Sequence, residues 1–210
     1  DPRGLSLPLA ALHALAPDAR RAVLAETLRA TGAARSRAVV GRLDALINAP
    51  PGQRVGLHGW TAWRDRDRLR LVRDVAPPVP VQVTLDGAAT TAGRLVPASP
   101  DAASGSAAVV LDAAMLDLHL VLRPWRAGDR LIAGGRDRRV SDWLTDARVQ
   151  PSERADALVL ALPDGAEGGR VAALVGHRVA AWAGPDGAQA PVVRFEWVPA
   201  GSVVRPGPAG

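Results

Sequence analysis

The chain has no cysteine, no lysine and no tyrosine, and only one phenylalanine and one methionine. Each absence removes a class of chemistry. Without cysteine there is no disulfide scaffold, no thiolate zinc site and no cysteine nucleophile. Without lysine there is no Schiff base, no lysine nucleophile and no Walker phosphate loop, whose motif needs that residue. No apolar run approaches the length that crosses a bilayer, so no membrane partner is expected. The opening Asp1-Pro2-Arg3-Gly4 is not a basic segment before a long apolar stretch, so no secretory leader is read there. The absence of cysteine fits a cytoplasmic location. The chain does not open on methionine, and a fragment or excised domain with more protein upstream is expected.

What is present is a basic chain with ample apolar content. Its 210 residues carry a net charge of +5, and all 26 basic residues are arginine. GC-rich coding accounts for that preference, yet it matters physically: arginine keeps its charge at any relevant pH and forks onto phosphate oxygens. Nearly half the residues are apolar, enough for a packed core in one or two small domains. Frequent proline and glycine imply long irregular connections. The arginines concentrate in Asp1–Arg73 and again in Arg123–Arg148, and uneven basic charge points to a polyanionic partner.

The pattern predicts an α+β chain: a small helical bundle with a β-meander, then a mainly β C-terminal domain with one or two short helices. Leu9, Leu12 and Leu15 share a helical face that stops at Pro17. Asp18 is the expected cap of a second helix carrying Val23, Leu24 and Leu28 and ending at Gly32. Ser36 caps a third, with Val39, Val40, Leu43, Leu46 and Ile47, ended by Pro50-Pro51. Strand-like alternation follows at Arg54–Leu57, Trp60–Trp63 and Leu69–Val72, with turns at His58-Gly59 and Arg64–Asp67. The proline-rich Pro77–Pro80 marks a boundary, giving domains at 1–76 and 77–198 and a loose tail at 199–210. In the second domain, strands are expected at Val81–Leu85, Ala108–Leu111, Leu118–Leu122, Leu158–Leu162, Val171–Val175, Arg178–Trp182 and Val192–Trp197. Pro100–Ala107 and Gly184–Pro191 read as loops, and short helices as starting near Ser141 and Pro151.

The richest stretch for chemistry is Arg123–Arg154. Arg123, Arg126 and Arg130 surround a turn at Ala127-Gly128-Asp129, and Gly134-Gly135 frees the backbone before Arg136, Arg138 and Arg139. Glycine-exposed N–H groups, a helix start and arginine forks make a plausible phosphate cradle. The same arginines also suit a bland role, as solvated loop charges paired with Asp129, Asp137, Asp142 and Asp146. Asp129 suits a turn, or the orienting of Arg130, better than general-base work. The scattered His13, His58, His119 and His177 lack metal-ligand spacing, so no metal residues are assigned. Trp60 and Trp63 are expected to pack over the helices and Trp143 in the core, while Trp125 lies among the arginines.

In this stretch the chain resembles the C-terminal domain of the tRNA(Ile)-lysidine synthetases. That family carries an R-P-R/W-x-x-G-D-R element after a strand, then a Gly-rich turn, a basic pair, a short helix and D-A-K-[IV]-P-x-x-x-R. Here stand Arg123-Pro124, Gly128-Asp129-Arg130, Arg138-Arg139 before Val140–Leu144, and Asp146-Ala147-Arg148-Val149 with Arg154. Val171–Val175 with Gly176-His177-Arg178 is similar to the family's closing strand pair. Arginine replaces the usual lysines, Gln150 stands for a usual proline with Pro151 one place later, and Leu158 replaces another proline. Leu12, Leu15, Arg20, Arg21 and Leu24 resemble the family's helix entry more weakly.

The resemblance implies a tRNA-binding role in tRNA processing and modification. It implies tRNA(Ile) as partner, held by Arg123, Arg126, Arg130, Arg136, Arg138, Arg139, Arg148 and Arg154. The family's ligase activity, which makes lysidine from a wobble cytidine, uses ATP and Mg in a catalytic domain with an S-G-G-x-D-S loop. That loop is absent here, so no catalytic residue or cofactor is assigned, and the catalytic domain of the parent chain becomes an expected partner. Two other readings stand beside it. A protein-interaction scaffold would have its arginines paired off internally. A hydrolase would need a converging nucleophile and base, and no Ser–His–Asp order supplies one.

Overall fold

The computed structural model describes residues 4–33, 35–99, 108–164, 169–186 and 190–200. The loop expected at Pro100–Ala107 therefore lies outside the described residues, as does the tail beyond Ala200. The chain forms two compact units, Asp1–Ala76 with Val149–Ala155, and Pro77–Arg148 with Asp156–Gly210. Val149–Ala155 thus belongs with the first unit, although it lies far along the chain.

The first unit runs β1 (Gly4–Pro8), α1 (Leu9–Ala14), α2 (Pro17–Thr31), α3 (Arg37–Ile47), β2 (Arg54–Leu57), β3 (Trp60–Arg64) and β4 (Arg68–Arg73). Pro17 occupies the first helical position of α2, where its preset φ helps and its missing N–H costs nothing. Ala16 is therefore the cap residue, and Asp18 sits in the first turn, where a carboxylate complements the helix dipole. Gly32 ends α2 in the left-handed conformation at φ 72°. The Ser36 hydroxyl accepts the Val39 N–H at 3.3 Å and caps α3. Leu9, Leu12, Leu24, Leu28 and the apolar face of α3 bury against Leu57, Ala62, Leu69 and Leu71 of the sheet. Val23 turns outward, at 37% exposed.

The sheet is antiparallel in the order β1-β4-β3-β2. The meander was legible as β2 to β4, but β1 was not; it adds a fourth strand by pairing Leu5 with Leu71 and Leu7 with Leu69. A one-turn helix at Pro151–Arg154 completes this unit. Its Ser152 N–H and hydroxyl both donate to the fully buried Asp65 carboxylate, at 2.9 and 2.6 Å.

The second unit is mainly β, with strands β5 (Val81–Gln82), β6 (Ala88–Thr90), β7 (Gly93–Pro97), β8 (Ala108–Asp112), β9 (Val121–Pro124), β10 (Arg130–Ala133) and β11 (Arg136–Arg139). After α4 (Val140–Asp146) come β12 (Leu158–Ala161), β13 (Val171–Leu174), β14 (Arg178–Val179) and β15 (Val192–Pro199). They form a five-stranded sheet, β14-β13-β12-β9-β5, a four-stranded sheet, β6-β7-β15-β8, and the β10-β11 hairpin. Every residue of β12 and β13 is buried, which explains their unbroken apolar sequences.

Several boundaries differ from expectation. The strand expected at Val81–Leu85 stops at Gln82, because Thr84 and Gly87 close a tight turn. Leu118 ends a 3-10 helix, Ala113–Leu118, so the next strand begins only at Val121. Trp182 lies beyond the two-residue β14, and Pro199 still belongs to β15 rather than to a tail. Among the described residues no helix is long and apolar enough to cross a membrane.

Candidate nucleic-acid interface

Between Arg123 and Arg139 the chain is more ordered than a glycine-rich loop. After β9 the Asp129 carboxylate accepts the Arg126 backbone N–H at 2.7 Å, and the Asp129 N–H returns to the Arg126 carbonyl at 3.0 Å. Gly128 sits in this turn at φ 97°. Gly134 and Gly135, at φ 54° and 71°, are the two central residues of a tight hairpin between β10 and β11. A two-residue hairpin loop with both φ positive is the glycine-favouring type I′ turn. The glycine pair therefore makes a hairpin rather than an anion cradle. The helix that follows is capped at Arg139, not at Ser141, whose hydroxyl lies 3.5 Å from the Asp142 carboxylate inside the first turn.

Arg123 does not face solvent. It is 3% exposed, and its two terminal nitrogens donate to both Asp129 oxygens at 2.8 and 2.9 Å. They also reach the carbonyls of Pro124 and Gly169. The sequence placed Arg123 among the RNA contacts; burial of its guanidinium makes it a structural residue instead. The same bonds show that Asp129 orients Arg123 and not Arg130, which pairs with Asp137 at 3.0 Å.

The hairpin register separates the remaining arginines. Directly paired residues of antiparallel strands share a face. Leu131 pairs with Arg138 and Ala133 with Arg136, while Arg130 pairs with Arg139 and Ile132 with Asp137. Arg136 and Arg138 thus project from one face, together with the buried Leu131 and Ala133. Arg130 and Arg139 project from the other. The eight arginines expected as one site do not share a single open face.

On the first face lies a groove of about 290 Å³, lined by Arg136, Arg138, Trp143, Asp146, His177 and Arg178. Trp143 is 7% exposed, and its indole N–H donates to the Leu131 carbonyl at 3.2 Å. The guanidinium carbons of Arg138 and Arg178 stand 5.3 and 4.6 Å from the Trp143 ring centre, within cation–π range. Arg138 also bonds Asp146. Desolvation pushes the His177 imidazole below its ordinary pKa.

On the second face Arg130 and Asp137 border a depression of about 320 Å³ that also contains Ile132, Arg170 and Trp182, with Arg170 stacked 4.5 Å from the Trp182 ring. Neither Arg136 nor Arg139 has a partner among the described residues, and both are exposed. Arg126 pairs with Asp164 at 3.0 Å. Arg148 is exposed at the turn after α4, with an unusual positive φ of 56°. Arg154 belongs to the first unit, where its Nε–H donates to the Val149 carbonyl at 3.0 Å.

The second arginine-rich run, Arg64–Arg70, is tied down within the first unit. Arg64 donates to the carbonyls of Ile47, Asp65 and Arg66, Arg68 meets Asp67, and Arg70 meets Glu153 at 2.9 Å. Sequence reasoning left Arg170 and Arg178 out of the site. The signal available for Arg178 was its place at a strand start beside His177; its stacking on Trp143 is a long-range contact with no local trace.

No family model and no curated protein matches the chain. Among solved structures it is similar to one described as the crystal structure of the TILS C-terminal domain. The two are 19% identical with a TM-score of 0.41, over 61% of this chain and 95% of that one. A likeness this loose establishes neither a shared family nor a shared activity.

Proposed function

We propose that the second unit grips the sugar–phosphate backbone of tRNA through the arginines of the β10–β11 hairpin. The observation that carries this reading is that Arg136 and Arg139 stand exposed on the two faces of one short hairpin, with no carboxylate partner among the described residues. Arg126, Arg130 and Arg138 hold surface carboxylates, and exposed pairs of this kind contribute only about 0–1 kcal/mol, so a phosphate can replace them at little cost. An A-form stem offers phosphates and 2′-hydroxyls rather than base edges in its deep groove, and a rigid hairpin edged with arginine suits that target.

Following the sequence resemblance, the partner is tRNA(Ile). The ATP- and Mg-dependent step that turns its wobble cytidine into lysidine is assigned to a separate catalytic domain of the parent protein. This chain holds the substrate and has no catalytic role of its own. A protein-interaction scaffold is the second reading, favoured by the carboxylate partners of Arg123, Arg126, Arg130 and Arg138.

The test is a titration of the 210-residue chain with tRNA(Ile) bearing the CAU anticodon, and with a second tRNA, across a salt series. Substituting both Arg136→Ala and Arg139→Ala is expected to weaken binding and to lower the slope of log affinity against log salt by about two, roughly 0.9 for each phosphate that goes unneutralised. Unchanged affinity and slope would sink the hairpin assignment. No binding of either tRNA at low salt would favour the scaffold.

A further inference from the structure

We infer that Arg178 is a phosphodiester-binding residue of the same interface, set in place by the indole face of Trp143 so that its N–H donors stay free for RNA; this rests on the RNA-binding reading above.

A surface guanidinium can be fixed in two ways. A carboxylate partner fixes it by occupying its N–H donors, as Asp164 does for Arg126 and Asp137 for Arg130. An aromatic face fixes it through the π cloud and leaves the in-plane N–H edge unused. Arg178 is held the second way, 4.6 Å from the Trp143 ring centre, and it makes no ion pair among the described residues.

The platform beneath it is rigid. Trp143 is nearly buried and anchored through its indole N–H to Leu131, and Arg178 itself pairs with Leu174 at the start of β14. The tight turn before it brings the His177 N–H to the Leu174 carbonyl at 3.0 Å. Arg178 therefore needs little ordering when it meets an anion, which removes much of the entropy cost of using a long flexible side chain. Arg136, without a partner among the described residues, lines the same groove, and the one carboxylate among its described lining residues, Asp146, is bonded to Arg138. Three guanidiniums facing one carboxylate leave an excess of positive charge that a backbone phosphate, with one negative charge and two free oxygens, can meet.

The geometry distinguishes fork from charge. Lysine at this position would keep the charge but lose both the planar stack and the two-pronged donor edge. In the same tRNA titration, Arg178→Ala is expected to weaken binding about tenfold and lower the salt slope by about one. Arg178→Lys is expected to lose most of that affinity while keeping the wild-type slope. Arg178 is exposed and its stack on Trp143 is worth about 0.5–1 kcal/mol, so both variants should stay within about 1 kcal/mol of the wild type in thermal unfolding. Wild-type affinity in Arg178→Ala, or full rescue by lysine, would overturn the inference and leave the hairpin reading standing. Failure of the wild-type chain to bind any tRNA would overturn both. At constant ionic strength, inorganic phosphate at millimolar concentration should not displace tRNA from the wild type; displacement would make the groove a free-phosphate site and overturn the assignment to RNA.

Discussion

Arg123 and Asp129 meet through two parallel N–H···O bonds, 2.8 and 2.9 Å long, with side chains 4% and 10% exposed. The pair closes the turn from which the hairpin departs, since Asp129 also holds the Arg126 N–H and its carbonyl accepts from Val140 at 2.9 Å. Arg123 Nε is also the one buried side-chain nitrogen or oxygen without a partner among the described residues. An ion pair this enclosed is costly to break from one side, because the surviving charge stays buried and uncompensated.

Asp129→Asn or Arg123→Ala should therefore each lower the unfolding free energy by about 3–5 kcal/mol. Removing both charges, with Arg123→Met and Asp129→Asn together, should recover part of that loss. Urea unfolding of the three variants checks it; single variants within about 1 kcal/mol of the wild type would show that the pair is not the closure described here.

A second ion pair makes the first unit sensitive to acid. Asp44 on α3 accepts from Arg20 on α2 at 2.6 Å and from Arg21 at 3.2 Å. The hydrogen bond from Arg20 is the main reason its carboxyl is held below the usual range. A carboxylate whose folded pKa is depressed contributes stability that is complete above its unfolded value, about 3.9, and is lost as pH falls through the folded one. Thermal unfolding should show the wild type falling toward Asp44→Asn as pH drops below about 4, with a gap of roughly 1–3 kcal/mol at neutral pH. A gap that does not change with pH would count against it.

Two glycines make contrasting demands. A Cβ on Gly93 would overlap the Val198 carbonyl oxygen and lie 2.6 Å from the Trp197 ring, so β7 and β15 could not keep their register. Gly135 has open space around its missing Cβ and only a positive φ to satisfy. Gly135→Ala should cost about 1–2 kcal/mol, the strain of a left-handed residue. Gly93→Ala should cost clearly more, and side-by-side melting curves decide the order.

The helices and the meander were legible because their signals are local. Leu24 and Leu28 recur at helical spacing, Ser36 and Gly32 carry caps, and the two turns of the meander are short. β6 and β7 were not: β6 is three small or polar residues, and β7 becomes a strand by pairing with β15, about a hundred residues later. β11 was hidden by its own charge, and its partner β10 with it. Arg136-Asp137-Arg138-Arg139 reads as a solvated loop, although Gly134-Gly135 is a sufficient hairpin signal once the flanks are allowed to be strands. The arginine cluster itself was legible, but not its division into two faces or the burial of Arg123, because both depend on register and on partners that sequence spacing does not encode.

The docking of Ser152 onto Asp65 governs how this protein can be dissected. A gene cut after Ala76 would encode Asp65 without the Ser152 N–H and hydroxyl that donate to its carboxylate, and Arg70 without Glu153. Losing those two hydrogen bonds to a carboxylate should cost the piece about 1–3 kcal/mol. The first unit is therefore not a contiguous stretch of gene: a faithful excision must splice Val149–Ala155 back on, as a fused segment or as a peptide supplied in trans.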